Sequence, residues 1–240
     1  MQRYFALNID SHNVLSKEDE HHLLNVMRAR IGEEIEVVFN QSVYLCSITS
    51  IKPLELKIIK ENPFDSEIKG DITLFFSLAK GDKIDFVVQK ATELGVKKIV
   101  LIKTKYCISK FDDKDVEKKL IRFNKIAKEA AMQSKRNIIP EVVGVYDIYS
   151  LPSHLLKNIN LVAYECDKGN TSSLYQIINN NINKSISILI GPEGGLAKEE
   201  IEHLVNNNDF KRVSLGKRIL RTETAAIYAL SVIGFLKEQL

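Results

Sequence analysis

The stretch Leu189-Ile190-Gly191-Pro192-Glu193-Gly194-Gly195-Leu196 leaves an apolar run, Ile186–Ile190, and enters helical periodicity over Lys198–Asn206. A strand that ends in glycines and turns into a helix is the repeating unit of a parallel sheet. Glycines at its carboxyl edge let the backbone approach a ligand closely. The stretch lacks the Gly-Lys-Ser/Thr of a phosphate loop and does not read Gly-x-Gly-x-x-Gly, which disfavours nucleoside triphosphate and dinucleotide sites. A second strand–loop–helix unit follows, Val213-Ser214-Leu215-Gly216-Lys217-Arg218-Ile219-Leu220-Arg221-Thr222-Glu223-Thr224-Ala225-Ala226. Arg221 or Thr222 stands at the start of the last helix, where backbone amides lack partners, and Arg221 is aimed at the same sheet edge as the glycines. Glu223 reads equally as a functional carboxylate and as a first-turn acid favoured by the helix dipole.

Outward from these two loops, strand-like runs at Ile72–Leu78, Lys98–Lys103, Asn160–Glu165, Ile186–Ile190 and Lys211–Ser214 alternate with helical patterns. The helices are expected at Asp82–Leu94, Asp113–Ser134, Thr171–Asn180, Lys198–Asn206 and Thr222–Lys237. Strands separated by crossover helices imply an α/β parallel sheet covered on both faces. Upstream the pattern differs. Residues 16–31 read as a helix, with Ser16 as N-cap, Asp19 close to a capping box, Leu23, Leu24, Met27 and Ile31 on one face, and Gly32 as its stop. Glu34–Phe39, Val43–Ile51 and Leu54–Lys60 read as an antiparallel meander. The polar, Pro- and Gly-bearing stretch 61–70 places the boundary between a first domain, 1–70, and a second, 71–240.

Charge adds a hint about partners. Residues 71–150 hold 16 of the 34 basic side chains against 11 acidic ones, whereas residues 1–70 hold 8 basic and 11 acidic. The surplus, from Lys97 and Lys98 to Lys135 and Arg136, suits the neutralisation of phosphates; a solvated helix face balanced by Asp112, Asp113, Asp115 and Glu117 reads as well. Cys46, Cys107 and Cys166 are too scattered for a disulfide framework or a zinc site of ordinary spacing, so no metal is expected. No apolar run reaches membrane-spanning length, and Arg3, Asp10 and His12 interrupt the place of a signal sequence, so a cytoplasmic protein is expected.

The two loops together resemble the paired signature of the SPOUT methyltransferases, and in detail the ribosomal small subunit methyltransferase E family. Four further segments carry the resemblance: Arg3-Tyr4-Phe5; His21-His22-Leu23-Leu24 with Val26 and Arg28; Lys80-Gly81-Asp82-Lys83 with Gln89–Val96; and Glu129-Ala130-Ala131 with Gln133, Ser134 and Arg136. The resemblance runs from residue 3 to residue 226. It implies a C-terminal SPOUT-type, trefoil-knotted parallel-sheet domain and a smaller PUA-like β-barrel domain that binds RNA.

The resemblance further implies methyl transfer from S-adenosylmethionine to N3 of a uridine in the 16S RNA of the small ribosomal subunit, by a homodimer with Tyr228, Ala229, Val232 and Phe235 along its interface helix. The cofactor role falls on Tyr164, Glu165, Gly191, Glu193, Gly195, Leu215, Gly216, Ile219 and Leu220. Arg221 would stabilise charge developing on the uracil, and Glu223 would orient Arg221 or meet the base. Arg3, His21, His22, Arg28, Lys80, Lys90, Gln133, Ser134 and Arg136 are the RNA-gripping candidates. One departure stands out: after the second catalytic strand, Thr104-Lys105-Tyr106-Cys107 replaces the family's Ser/Thr-Glu-Arg-Ser type run, so the acid and the arginine are both gone. Lys103 or Lys105 could replace the arginine's charge but not its planar fork. Two alternatives stay open, a SPOUT enzyme acting on another RNA and a non-catalytic RNA-binding protein.

Overall fold

The structure, a computed structural model, describes residues 1–8, 14–109, 111–164 and 172–238. The chain divides into two compact units. One comprises Met1–Glu67 with Ala131–Ile138, the other Ile68–Ala130 with Ile139–Leu240.

The first unit carries a four-stranded sheet in the order β1 (Arg3–Phe5), β2 (Glu34–Phe39), β3 (Ser42–Ile51), β4 (Leu54–Asn62). β1 runs parallel to β2, and the other pairs are antiparallel. Alternate residues Ile35, Val37, Cys46, Ile48, Leu54 and Leu56 face a small core with Tyr4 and Leu23. Ser16 caps helix α1 (Lys17–His21), its hydroxyl accepting from the Asp19 amide at 3.1 Å. The helix expected through Ile31 is shorter. It widens into a single π turn at His22–Val26, and Arg28 then adopts a left-handed φ of 54°. Of its supposed apolar face only Leu23 is buried, while Met27 and Ile31 are exposed. The apolar spacing therefore had no core to hold a longer helix together.

The second unit is a seven-stranded, wholly parallel sheet in the order β7-β6-β5-β10-β8-β11-β9. Its strands are β5 (Ile72–Ser77), β6 (Lys98–Lys103), β7 (Glu141–Asp147), β8 (Ile159–Ala163), β9 (Ser172–Ser173), β10 (Ile186–Ile190) and β11 (Phe210–Ser214). The helices are α2 (Lys83–Glu93), α3 (Asp113–Gln133), α4 (Leu174–Asn179), α5 (Lys198–Asn208) and α6 (Thr222–Glu238). Burial on both faces follows the period-two alternation of a strand. Leu74, Phe76, Ile186, Ile188 and Ile190 pack with residues of α2, α3, α4 and α6, whereas Phe75 and Leu189 pack with Ile201 and Leu204 of α5.

Two edge strands escaped the sequence pattern. In β7, Gly144 breaks the apolar alternation with a φ of 86°, beside a register shift between Val100 and Ile102 of its partner. β9 is two residues long and replaces the start of the expected helix, of which Thr171 lies outside the described residues. No helix among the described residues is long and apolar enough to cross a membrane.

The strand order places the site. From β5 the chain steps outward to β6 and β7, then returns to build β8, β10 and β11 on the other side. The crevice at such a reversal, outside the carboxyl ends of the strands, is where open α/β sheets bind ligands. The end of β8 and the loops leaving β10 and β11 meet there.

Candidate active site

A cavity of about 470 Å³ opens at that edge. Ala163 and Tyr164 come from the end of β8, Ile190 to Leu196 from the end of β10 and the loop after it, and Leu215, Ile219–Thr222 and Ala225 from the loop after β11 and the start of α6. Its size falls in the range of small-molecule sites, about 300–1,000 Å³.

The two loops are tied together. Thr222 is buried, and its hydroxyl donates to the Gly191 carbonyl at 2.7 Å. Just below, the Ser77 hydroxyl donates to the Ile190 carbonyl at 2.9 Å. Gly195 bends the first loop with a φ of 74° and Gly216 the second with 113°, conformations that side chains with a Cβ seldom adopt. The helix after the first loop is capped by a buried carboxylate. Glu200 accepts from the Ala197 amide at 2.8 Å with one oxygen and from the Lys105 amide at 2.7 Å with the other. The loop after β6 is thereby fixed to the loop after β10.

Charge gathers at the rim. Lys83, at the start of α2, donates to Glu193 at 2.7 Å and pairs with Glu223 at 3.4 Å. That longer contact is an ion pair outside hydrogen-bond geometry, and the buried Oε2 of Glu223 makes no hydrogen bond. The hydrogen bond to Glu193 holds the Lys83 ammonium above its ordinary value, against a smaller opposing push from burial. Burial pushes the Glu193 carboxyl up, but the bond from Lys83 and the nearby Lys83 and Lys80 charges outweigh it and hold the group below the usual range. The two carboxylates thus share the Lys83 ammonium, with the Lys80 charge also acting on Glu193.

Most of the expected cofactor residues come together here. Tyr164, Gly191, Glu193, Gly195, Leu215, Ile219 and Leu220 line the cavity, and so does Arg221. Ile219 is 88 % exposed, so core packing does not explain it. Gly216 instead lines a neighbouring cavity with Leu215, Tyr175 and Tyr228. Glu165 lies outside the described residues. Pattern reading missed Lys83 as a member of the site, although the Lys80–Lys83 segment that opens α2 was its signal. It also left out Gly194, Leu196, Thr222 and Ala225, which are contiguous with the quoted motifs.

The RNA-gripping candidates separate into two kinds. His21, Arg28, Lys80 and Gln133 are exposed. Lys90 pairs with Glu93 at 2.8 Å, His22 is bonded to the Tyr4 hydroxyl at 2.9 Å through Nδ1, and Ser134 is half-buried. Arg3 and Arg136, by contrast, are 1 % and 2 % exposed. Arg3 donates to Glu36 at 3.2 Å, to Asn137 Oδ1 at 2.9 Å and to the Lys135 and Arg136 carbonyls. Arg136 grips Glu67, whose carboxylate also accepts from the Asn137 and Ile138 amides at 2.9 and 3.1 Å. Along α6, Tyr228 and Phe235 are exposed, Val232 is half-buried and Ala229 belongs to the core.

Comparison with known proteins gives the same picture. Residues 66–234 match the family model of an RNA methyltransferase domain, and residues 15–61 that of an RNA methyltransferase PUA domain. The chain is 35 % identical to the ribosomal RNA small subunit methyltransferase E of Bacillus subtilis, with 100 % of this chain and 98 % of that protein aligned. It is 31 % identical to the enzyme of the same name from Rickettsia conorii, over 90 % of this chain and 86 % of that one. Among solved structures, the ribosomal RNA small subunit methyltransferase E of Neisseria gonorrhoeae bound to S-adenosylmethionine superposes with a TM-score of 0.82, at 31 % identity over 98 % of both chains. The chain belongs to the ribosomal RNA small subunit methyltransferase E family.

Proposed function

We propose that this protein transfers a methyl group from S-adenosylmethionine to N3 of a uridine in the 16S RNA of the small ribosomal subunit. The observation that carries the proposal is the cavity at the carboxyl edge of the sheet, walled by both signature loops, with Arg221 on its wall. The residues present fit the cofactor. Leu196, Leu215, Leu220 and Ala225 give an apolar wall to an adenosyl group, while the backbone of Gly191, Gly194 and Gly195 can approach its polar edges. When bound, the cofactor supplies a methyl carried on a positively charged sulfur.

The protein's residues then prepare the acceptor. N3 of uracil becomes nucleophilic as its proton passes to water, and negative charge spreads onto the neighbouring oxygens. The Arg221 guanidinium, always charged, is the group proposed to stabilise that charge as it develops. Glu223 stands two residues on in the first turn of α6, and its pairing with Lys83 sets the direction of its carboxylate at the rim. The Thr222–Gly191 bond holds both loops in one arrangement, so donor and acceptor meet in a fixed geometry. The trefoil knot that the resemblance implies belongs to this same reading.

The PUA-like RNA-binding domain is assigned to residues 1–70 and the methyltransferase domain to residues 71–240, and both supply RNA contacts. His21, His22, Arg28, Lys80, Lys90, Gln133 and Ser134 are proposed to hold the RNA directly. Arg3 serves it by donating to the Lys135 and Arg136 carbonyls, and Arg136 by holding the Glu67 carboxylate that accepts from the Asn137 and Ile138 amides. A homodimer joined through the exposed Tyr228 and Phe235 of α6 completes the assembly, acting in the cytoplasm where ribosomal subunits are built.

The deciding experiment is transfer of labelled methyl from S-adenosylmethionine to small subunits that lack the modification, followed by nucleoside analysis. Label in 3-methyluridine is the expected result. Cofactor binding without any label would redirect the search to other RNAs.

A further inference from the structure

The run that departs from the family pattern, Thr104-Lys105-Tyr106-Cys107, is built into the site. The Thr104 hydroxyl lies 3.1 Å from the Cys107 sulfur, closing the turn after β6. The Lys105 amide donates to buried Glu200 at 2.7 Å, and its ammonium to Glu199 at 2.6 Å. This anchoring seats Tyr106 against the glycine loop. A Cβ added at Gly194 would lie 2.9 Å from the Tyr106 Cβ, so that glycine leaves room for this residue. Gly194 lines the cavity, and Tyr106 adjoins it through that glycine without being one of the lining residues.

The residue is partly open to solvent. Tyr106 is 44 % exposed, and the Lys105 ammonium sits over the ring, 5.5 Å from its centroid. Beside it lies a second cavity of about 340 Å³, lined by Lys103, Ser109 and Tyr149 among others. Asp147 also lines it, but one of its oxygens is engaged in its own turn, accepting from the Tyr149 amide at 2.9 Å. Lys105 is paired with Glu199, and the buried Glu200 also lines the hollow, so exposed Lys103 is the cation that remains for a phosphate; a part-exposed tyrosine beside it suits a stacked base.

We propose that Tyr106 is the platform on which an unpaired nucleobase of the RNA substrate stacks as the target enters the cavity. The proposal rests on the methyltransferase reading above and adds a binding residue to it. Here the π-face of a tyrosine stands where the family carries an arginine.

The geometry makes the test clean, because alanine keeps the Cβ that faces Gly194 and removes only the ring. In Tyr106→Ala, calorimetric affinity for S-adenosylmethionine is expected to stay at the wild-type value. KM for unmodified small subunits should rise about 5- to 100-fold, the loss typical of one base–aromatic stack. Tyr106→Phe should match wild type in both. An unchanged KM in the alanine variant would overturn the proposal. So would lost cofactor affinity, which would make the ring a prop for the loop, or a phenylalanine variant as poor as alanine, which would shift the role to the hydroxyl. Should wild-type protein transfer no methyl, the functional reading fails by itself. Affinity for a single-stranded uridine-containing RNA oligonucleotide, wild type against Tyr106→Ala, then still decides the stacking claim: weaker binding by the alanine variant supports it, and equal binding sinks it.

Discussion

The two units use opposite means to hold their decisive segments. At the carboxyl edge of the parallel sheet the geometry is set largely by main chain: glycines at left-handed φ, a hydroxyl bridging two loops at 2.7 Å, and a buried glutamate capping amides. In the N-terminal unit, buried side-chain charge does the holding, with Arg3 on Glu36 and Arg136 on Glu67. The first arrangement leaves its polar rim open to a ligand. The second is already satisfied, so a basic residue in a family motif can serve the structure without touching RNA.

The largest effect expected from this contrast is at Arg136. Replacing it with alanine strands the Glu67 carboxylate in a buried site, a loss of about 3–5 kcal/mol. Urea unfolding of Arg136→Ala should show it, and a loss below 1 kcal/mol would mean that the pair is not structural. Next comes Arg221, on the open side of the comparison. Arg221→Ala should lower kcat by about 100- to 1,000-fold, as for removal of one preorganised donor, with cofactor affinity and melting temperature unchanged. Wild-type turnover would take Arg221 out of the mechanism.

Gly194→Ala should be milder. Its Cβ would press on Tyr106, and the strain of overpacking costs roughly 1–3 kcal/mol, shared between loop stability and cofactor binding. Calorimetry with S-adenosylmethionine should show weakened affinity, restored in part by pairing the change with Tyr106→Gly. Smallest of all is a pH effect at Glu36. Burial pushes its carboxyl up, but hydrogen bonds from Lys135 and Arg3 prevail and hold it below the ordinary glutamate range. A depressed carboxyl contributes stability above its unfolded value and loses it as pH falls through its folded value. Glu36→Gln should therefore flatten the decline of stability in that acid window, and an unchanged slope in pH-dependent denaturation would argue against the pair.

The sheet was legible in the sequence because its strands are local, apolar and buried on both faces. Ile186–Ile190 and Lys98–Lys103 were bounded to the residue. The cavity was legible because glycines and small residues cluster in two contiguous runs. What escaped depends on distance along the chain. Lys83 meets Glu193 across 110 residues and Arg3 meets Asn137 across 134, and no local pattern encodes such partners. The helix expected to reach Ile31 failed for a related reason: apolar spacing predicts a face, but only tertiary packing decides whether that face is buried. Tyr106 is an intermediate case. The sequence showed that the residue departs from the family, and only the approach to Gly194 showed what it stands beside.

The pairing of β5 with β10 bears on how the chain is made. Ile72–Ile186 and the four pairs after it join strands on either side of a long intervening stretch. At synthesis rates of about 5–20 residues per second, β5 emerges on the order of ten seconds before its central neighbour exists. The first unit waits as well, since it is completed by Ala131–Ile138. Neither half can finish in the order in which it is translated. During that interval an apolar strand edge lies unpaired, and the nascent protein is most open to chaperones and to aggregation then.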